Sequence, residues 1–103
     1  MTTVKIGTEE RLLRNADPQW IERQINGRRH DELNVCVVVV VTAEDVDIRL
    51  TTPTCSAARG GYRPLTPREE AIAGLWKRCG LADMNFSAGS LIAFVKQLPR
   101  LLR

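Results

Sequence analysis

Apolar and polar positions fall into distinct periodic blocks along this 103-residue chain. Val35-Cys36-Val37-Val38-Val39-Val40-Val41 is an unbroken apolar run, mostly β-branched. It is too short for a buried helix and predicts a strand over Leu33–Thr42 with cover on both faces. Val46-Asp-Ile48-Arg-Leu50-Thr then alternates strictly, which predicts a strand with one buried and one wet face. Ala43-Glu44-Asp45 joins the two as a β-hairpin with a loop of about three to five residues. Pro53 ends the second strand because it has no N–H for a ladder. An uncovered valine edge would pair with other chains, so the long strand needs a second neighbour. Thr2–Ile6, Gly61–Arg63 or the same strand of a second subunit could supply it.

Helical spacing appears elsewhere. Thr8-Glu9-Glu10 reads as a short helix start, with Leu12 and Leu13 as its buried residues. Asp17-Pro18 is a stronger start, followed by Trp20, Ile21, Gln24 and Ile25, with Asn26-Gly27 as the stop. Thr66-Pro67-Arg68-Glu69 is a capping box with Pro at the first helical position. Ile72, Leu75, Trp76 and Cys79 follow as one apolar stripe, and Gly80 sits where a left-handed residue closes the helix. Asn85 or Ser87 opens a last helix, apolar at Leu91, Ile92, Phe94, Val95 and Leu98, which Pro99 ends at or near Leu98.

Blocks of strands and helices predict a single α+β domain over residues 1–103. A central β-hairpin, with a third short strand as an option, is packed by an N-terminal helix and a C-terminal helix pair. At 44% hydrophobic and 26% charged, the composition is that of a globular domain rather than a disordered chain. The seven-residue valine run falls far short of the roughly 20 residues of a membrane span. The first ten residues hold no apolar stretch, so no secretory leader and a cytoplasmic location are expected. Cys36, Cys55 and Cys79 are an odd set with no Cys-x-x-Cys, which predicts small buried thiols in a reducing compartment.

The net charge of +3 hides an asymmetry. Residues 1–55 carry seven basic and nine acidic side chains, residues 56–103 eight basic and three acidic. A basic second half suits either a solvated helix face or an anionic partner. The loop feeding the third predicted helix concentrates the candidates. Arg59, Gly60, Gly61, Arg63, Thr66 and Arg68 combine close backbone approach, guanidinium charge and free helix N–H groups, the ingredients of an anion site. Neither a Walker loop nor a dinucleotide fingerprint is present. Arg28-Arg29-His30 with Tyr62, Arg59 and Arg63 form a small basic and aromatic set that nucleic acid could use.

Leu65-Thr-Pro-Arg-Glu-Glu resembles the opening of the helix-turn-helix domain in LuxR-type regulators. Capping accounts for the same residues, and the downstream helix is apolar where a recognition helix would be polar. The resemblance therefore implies no function.

With one histidine and scattered cysteines, no metal site, cofactor or catalytic triad is expected, and the chain reads as a non-enzyme. Cys55 is the least core-like thiol. Apolar surplus on the last helix, at Leu98, Leu101 and Leu102, marks a candidate interaction surface. The expected function is that of a small accessory or regulatory protein acting by protein–protein binding, as a homodimer or on a separate partner. The alternative is an anion or nucleic-acid binding module built on loop 56–68.

Overall fold

The valine run finds both of its neighbours within the chain. The structure, a computed structural model, describes residues 1–28, 35–56 and 63–103. Its strands are β1 (Thr2–Ile6), β2 (Glu9–Leu12), β3 (Val37–Ala43) and β4 (Val46–Thr51), and its helices are α1 (Pro18–Arg28), α2 (Pro67–Arg78) and α3 (Ala88–Leu101). The strands form one antiparallel sheet in the order β2-β1-β3-β4. The architecture is mixed α+β, with four strands where a hairpin and an optional third strand were expected.

The fourth strand corrects the predicted helix start at Thr8. Glu9–Leu12 instead pairs back on β1, with Ile6 opposite Glu9. Gly7 makes this two-residue turn with φ 61°, a conformation glycine adopts without a Cβ clash. Local capping potential at Thr8 therefore gives way to a hairpin. The β3–β4 loop is also tight. Ala43 pairs with Val46, so Glu44-Asp45 is the whole loop, and Glu44 takes a positive φ.

All three helices lie on one face of the sheet. Val4 and Ile6 of β1, Val37, Val39 and Val41 of β3, and Val46, Ile48 and Leu50 of β4 point into that core. The helix layer adds Trp20, Ile21 and Ile25 from α1, Ile72, Leu75 and Trp76 from α2, and Leu91, Phe94 and Leu98 from α3. α1 packs on β1, α2 on β4, and α3 against both α1 and α2. Trp76 and Phe94 meet edge to face with ring centroids 5.1 Å apart.

Several helix signals act as the sequence predicts. The Trp20 N–H donates to Asp17 Oδ1 at 2.8 Å. Thr66 and Ser87 each close a capping box, and Gly80 takes φ 83°. Two stops fail. α1 runs through Asn26-Gly27 to Arg28, whose guanidinium reaches back to the Gln24 carbonyl. α3 continues past Pro99 to Leu101. There Arg68 of α2 donates to the Leu101 carbonyl at 3.2 Å, a cation at the negative end of the helix.

Candidate functional site

Among the described residues, the opposite face of the sheet carries no helix. Thr3, Lys5, Val38, Val40, Arg49 and Thr51 lie there by alternation and register. The cover predicted for both faces of the valine strand is thus a helix layer on one face only. Val38 is 8% exposed and Val40 is half-buried, so their neighbours on this face shelter them.

Near one end of this face lies a cavity of about 500 Å³ lined by Lys5, Gly7, Cys36, Val38, Arg49, Thr51, Thr54, Cys55 and Ser56. Among the described residues, two cations and no carboxylate contribute to its wall. The Lys5 and Arg49 side chains make no hydrogen bond or ion pair among the described residues. Glu10 stands across the strand pair from Lys5 but outside ion-pair distance. Lys5 and Arg49 sit two strands apart and two residues out of register, roughly 12 Å between Cα atoms by sheet spacing.

The floor holds a disulfide. Cys36 and Cys55 are bonded, with Cα atoms 4.8 Å apart. This corrects the expectation of three free, buried thiols. Cys36 directly precedes β3, and its carbonyl accepts from Gly7 N–H at 2.9 Å, which extends the β1–β3 ladder by one step. Its side chain therefore falls on the open face with Val38. The turn after β4 brings Cys55 across to meet it, and both cysteines are half-buried. Cys79 is the free thiol. It is half-buried against the core, and burial pushes its pKa up.

A hydrogen-bond chain holds that turn. Val37 N–H donates to Thr52 Oγ1 at 3.1 Å, Thr52 Oγ1 lies 2.8 Å from Thr54 Oγ1, and Thr54 donates to the Val35 carbonyl. The fixed donor at one end and fixed acceptor at the other orient both hydroxyl protons. Thr52 N–H also returns to the Val37 carbonyl at 3.0 Å. Thr52 is 1% exposed, so this is a buried polar group with its bonding met.

The six residues expected to form an anion site divide. Arg59, Gly60 and Gly61 lie outside the described residues, as do His30 and Tyr62. Arg63, Thr66 and Arg68 are placed, and each engages the protein's own groups. Glu69 is fully buried at the start of α2. Its Oε1 accepts from Thr66 N–H at 2.8 Å and from Arg63 at 2.7 Å. Its Oε2 accepts from Asp47 N–H at 3.0 Å and from the second Arg63 nitrogen. Arg63 also donates to the Asp47 carbonyl at 2.7 Å. The forked Arg63 and the backbone donors hold the Glu69 carboxyl well below the usual carboxylate range, and Glu69 in turn raises Arg63. Arg68 pairs with Asp45. The helix N-terminus that could have drawn an external anion is filled by Glu69.

The apolar candidates are also drawn inward. Leu98 is fully buried, and Leu101 and Leu102 pack partly buried against the core. α3 thus buries Leu98 within this chain and leaves Leu101 and Leu102 partly exposed. Among the described residues no three His, Cys, Asp or Glu side chains cluster as a metal site would need. No helix is long and apolar enough to cross a membrane.

No protein-family model, curated protein or solved structure matches this chain.

Sequence reasoning missed Lys5, Arg49 and the cystine as one group. The alternation of Val46–Thr51 already puts Arg49 on the wet face. Cys36 and Cys55 flank the hairpin on opposite sides, and the Val38–Thr51 pairing sets Pro53 opposite Cys36, two residues short of Cys55. That near-symmetry is a signal for the disulfide.

Proposed function

We propose that this chain acts by binding rather than catalysis, in an accessory or regulatory role, and that its ligand is a small anion docked on the helix-free sheet face. The observation that carries this is the cavity flanked by Lys5 and Arg49, whose side chains have, among the described residues, neither a partner nor a carboxylate in the wall between them. A carboxylate or phosphate there gains two cations and the hydroxyls of Thr51 and Ser56 as donors. Arg63 and Arg68 offer less, because an external anion would have to displace Glu69 or Asp45.

The test is an amide-resolved NMR titration with pyrophosphate and with S-methylglutathione, a dicarboxylate that cannot undergo thiol exchange. Shifts are expected at residues 5, 38, 49, 51 and 54–56. They should weaken as salt rises and vanish in the Lys5→Gln/Arg49→Gln double variant. Shifts confined to residues 63–68, or a silent spectrum with both probes, would overturn the reading.

A further inference from the structure

The disulfide lines the same cavity as the unpaired cations, and this juxtaposition has chemical content. Both cysteines are half-buried and reachable from the cavity rather than sealed in the core. Lys5 stands two residues out of register with the strand position of Cys36, since Gly7 lies opposite Cys36 and Lys5 opposite Val38. A thiolate forming at Cys36 would therefore have a cation nearby. The other sulfur has a different environment. Cys55 Sγ lies 3.5 Å from the Val37 carbonyl oxygen and 3.6 Å from Thr52 Oγ1. Once reduced, the Cys55 thiol has an acceptor already in place.

We infer that the Cys36–Cys55 disulfide is an exchange site for a small thiol carrying carboxylates, which docks on Lys5 and Arg49. The inference rests on the anion-docking reading above and adds the class of ligand and what happens to it. The docked thiol, as thiolate, attacks Cys55 Sγ. A sulfur–sulfur bond forms between ligand and Cys55 while the Cys36–Cys55 bond breaks. The electron pair leaves on Cys36 Sγ, which takes up the proton the incoming thiol released. A positive neighbour speeds this step by lowering the leaving thiol's proton affinity. A second ligand thiol then attacks the ligand sulfur of the mixed disulfide and frees Cys55. In sum, two ligand thiols are oxidised to one ligand disulfide, and the protein disulfide takes up two electrons and two protons. The change is stoichiometric, and it leaves Cys36 and Cys55 as free thiols lining the cavity, in addition to the already free Cys79.

The experiment compares glutathione with its diethyl ester, the same thiol with its carboxylates masked, on the oxidised full-length chain under native conditions. Intact and peptide mass spectrometry follow the mixed disulfide and its position. Glutathione should react about tenfold or more faster than the ester, the scale of electrostatic steering at a charged cavity. The first adduct should map to Cys55. The advantage should disappear in Lys5→Gln/Arg49→Gln and at high salt: the variant slows both thiols through the lost cation beside Cys36, but slows glutathione by about tenfold more, so that the two rates converge. Equal rates for the two thiols, an adduct on Cys79 alone, or opening of the bond only in denaturing urea would each overturn the inference. If S-methylglutathione docks but glutathione does not exchange faster than its ester, exchange fails and the anion-docking reading stands. If S-methylglutathione also fails to dock, both fall.

Discussion

Removing the Cys36–Cys55 bond is the perturbation whose cost the structure allows to be worked out. The bond closes a loop across a sequence separation of 19 residues. In the chain-entropy account, a cross-link of that span removes roughly 11 cal/mol/K from the unfolded chain, about 3 kcal/mol at 25 °C. Little folded-state loss should add to this. The same end of the hairpin is held independently by Val37 N–H to Thr52 Oγ1 and by Thr52 N–H to the Val37 carbonyl. The unfolding entropy of a 103-residue chain is about 0.2 kcal/mol/K, so Tm should fall by roughly 14 °C. The assay is urea and thermal unfolding of the Cys36→Ala/Cys55→Ala double variant, followed by the fluorescence of Trp20 and Trp76. The urea midpoint should drop, and the denaturant slope should rise because the unfolded chain is freed to expand. A reagent count of thiols in the unfolded, unreduced wild type should give one, from Cys79. Equal midpoints for wild type and variant, or three reactive thiols in the air-oxidised protein, would refute the reasoning.

Two further outcomes follow from buried polar groups. Thr52→Val leaves the Val37 N–H without its acceptor and should cost about 1–3 kcal/mol by urea unfolding, while Thr52→Ser should recover most of it. Glu69 has a folded-state pKa below its ordinary value of about 4.3, so its contribution is fully present above that pH and is lost as pH falls below it. Glu69→Gln should therefore lower Tm at pH 7, with the gap to wild type narrowing as pH drops from about 4 toward 2. A gap that stays constant over that range would show that Glu69 is not held as the anion.

The chain's local chemistry settled most of its elements. Seven consecutive apolar residues too short for a helix made β3, strict alternation made β4, and the capping residues at Asp17, Thr66 and Ser87 started all three helices. These signals depend on neighbours within a few residues, which is why they are readable in one dimension. The hairpin at Gly7-Thr8 shows the limit. Thr8-Glu9-Glu10 has the residues of a helix start, and only pairing of β1 with β3 makes a strand at Glu9–Leu12 worth more than a turn of helix. Pro99 shows it again. Its lost N–H argued for a helix end, yet α3 carries on to Leu101, where Arg68 from another helix meets the terminal carbonyl.

The site depended still more on tertiary structure. Three partners for the valine strand were equal in sequence, and choosing β1 is what sets Lys5 across two strands from Arg49. The same packing brings the loop residue Cys55 round to Cys36, in the valine run, and makes the pair part of a cavity wall. It also takes candidates away. Arg63 and Thr66 carry the residue types of an anion site, but the fold delivers Glu69 to both, and Leu98 turns into the core. Which residues carry charge or sulfur was written along the chain. Which charges remained unpaired was decided by distances between strands and helices far apart in sequence, because pairing energy depends on separation in space and on burial rather than on order along the chain.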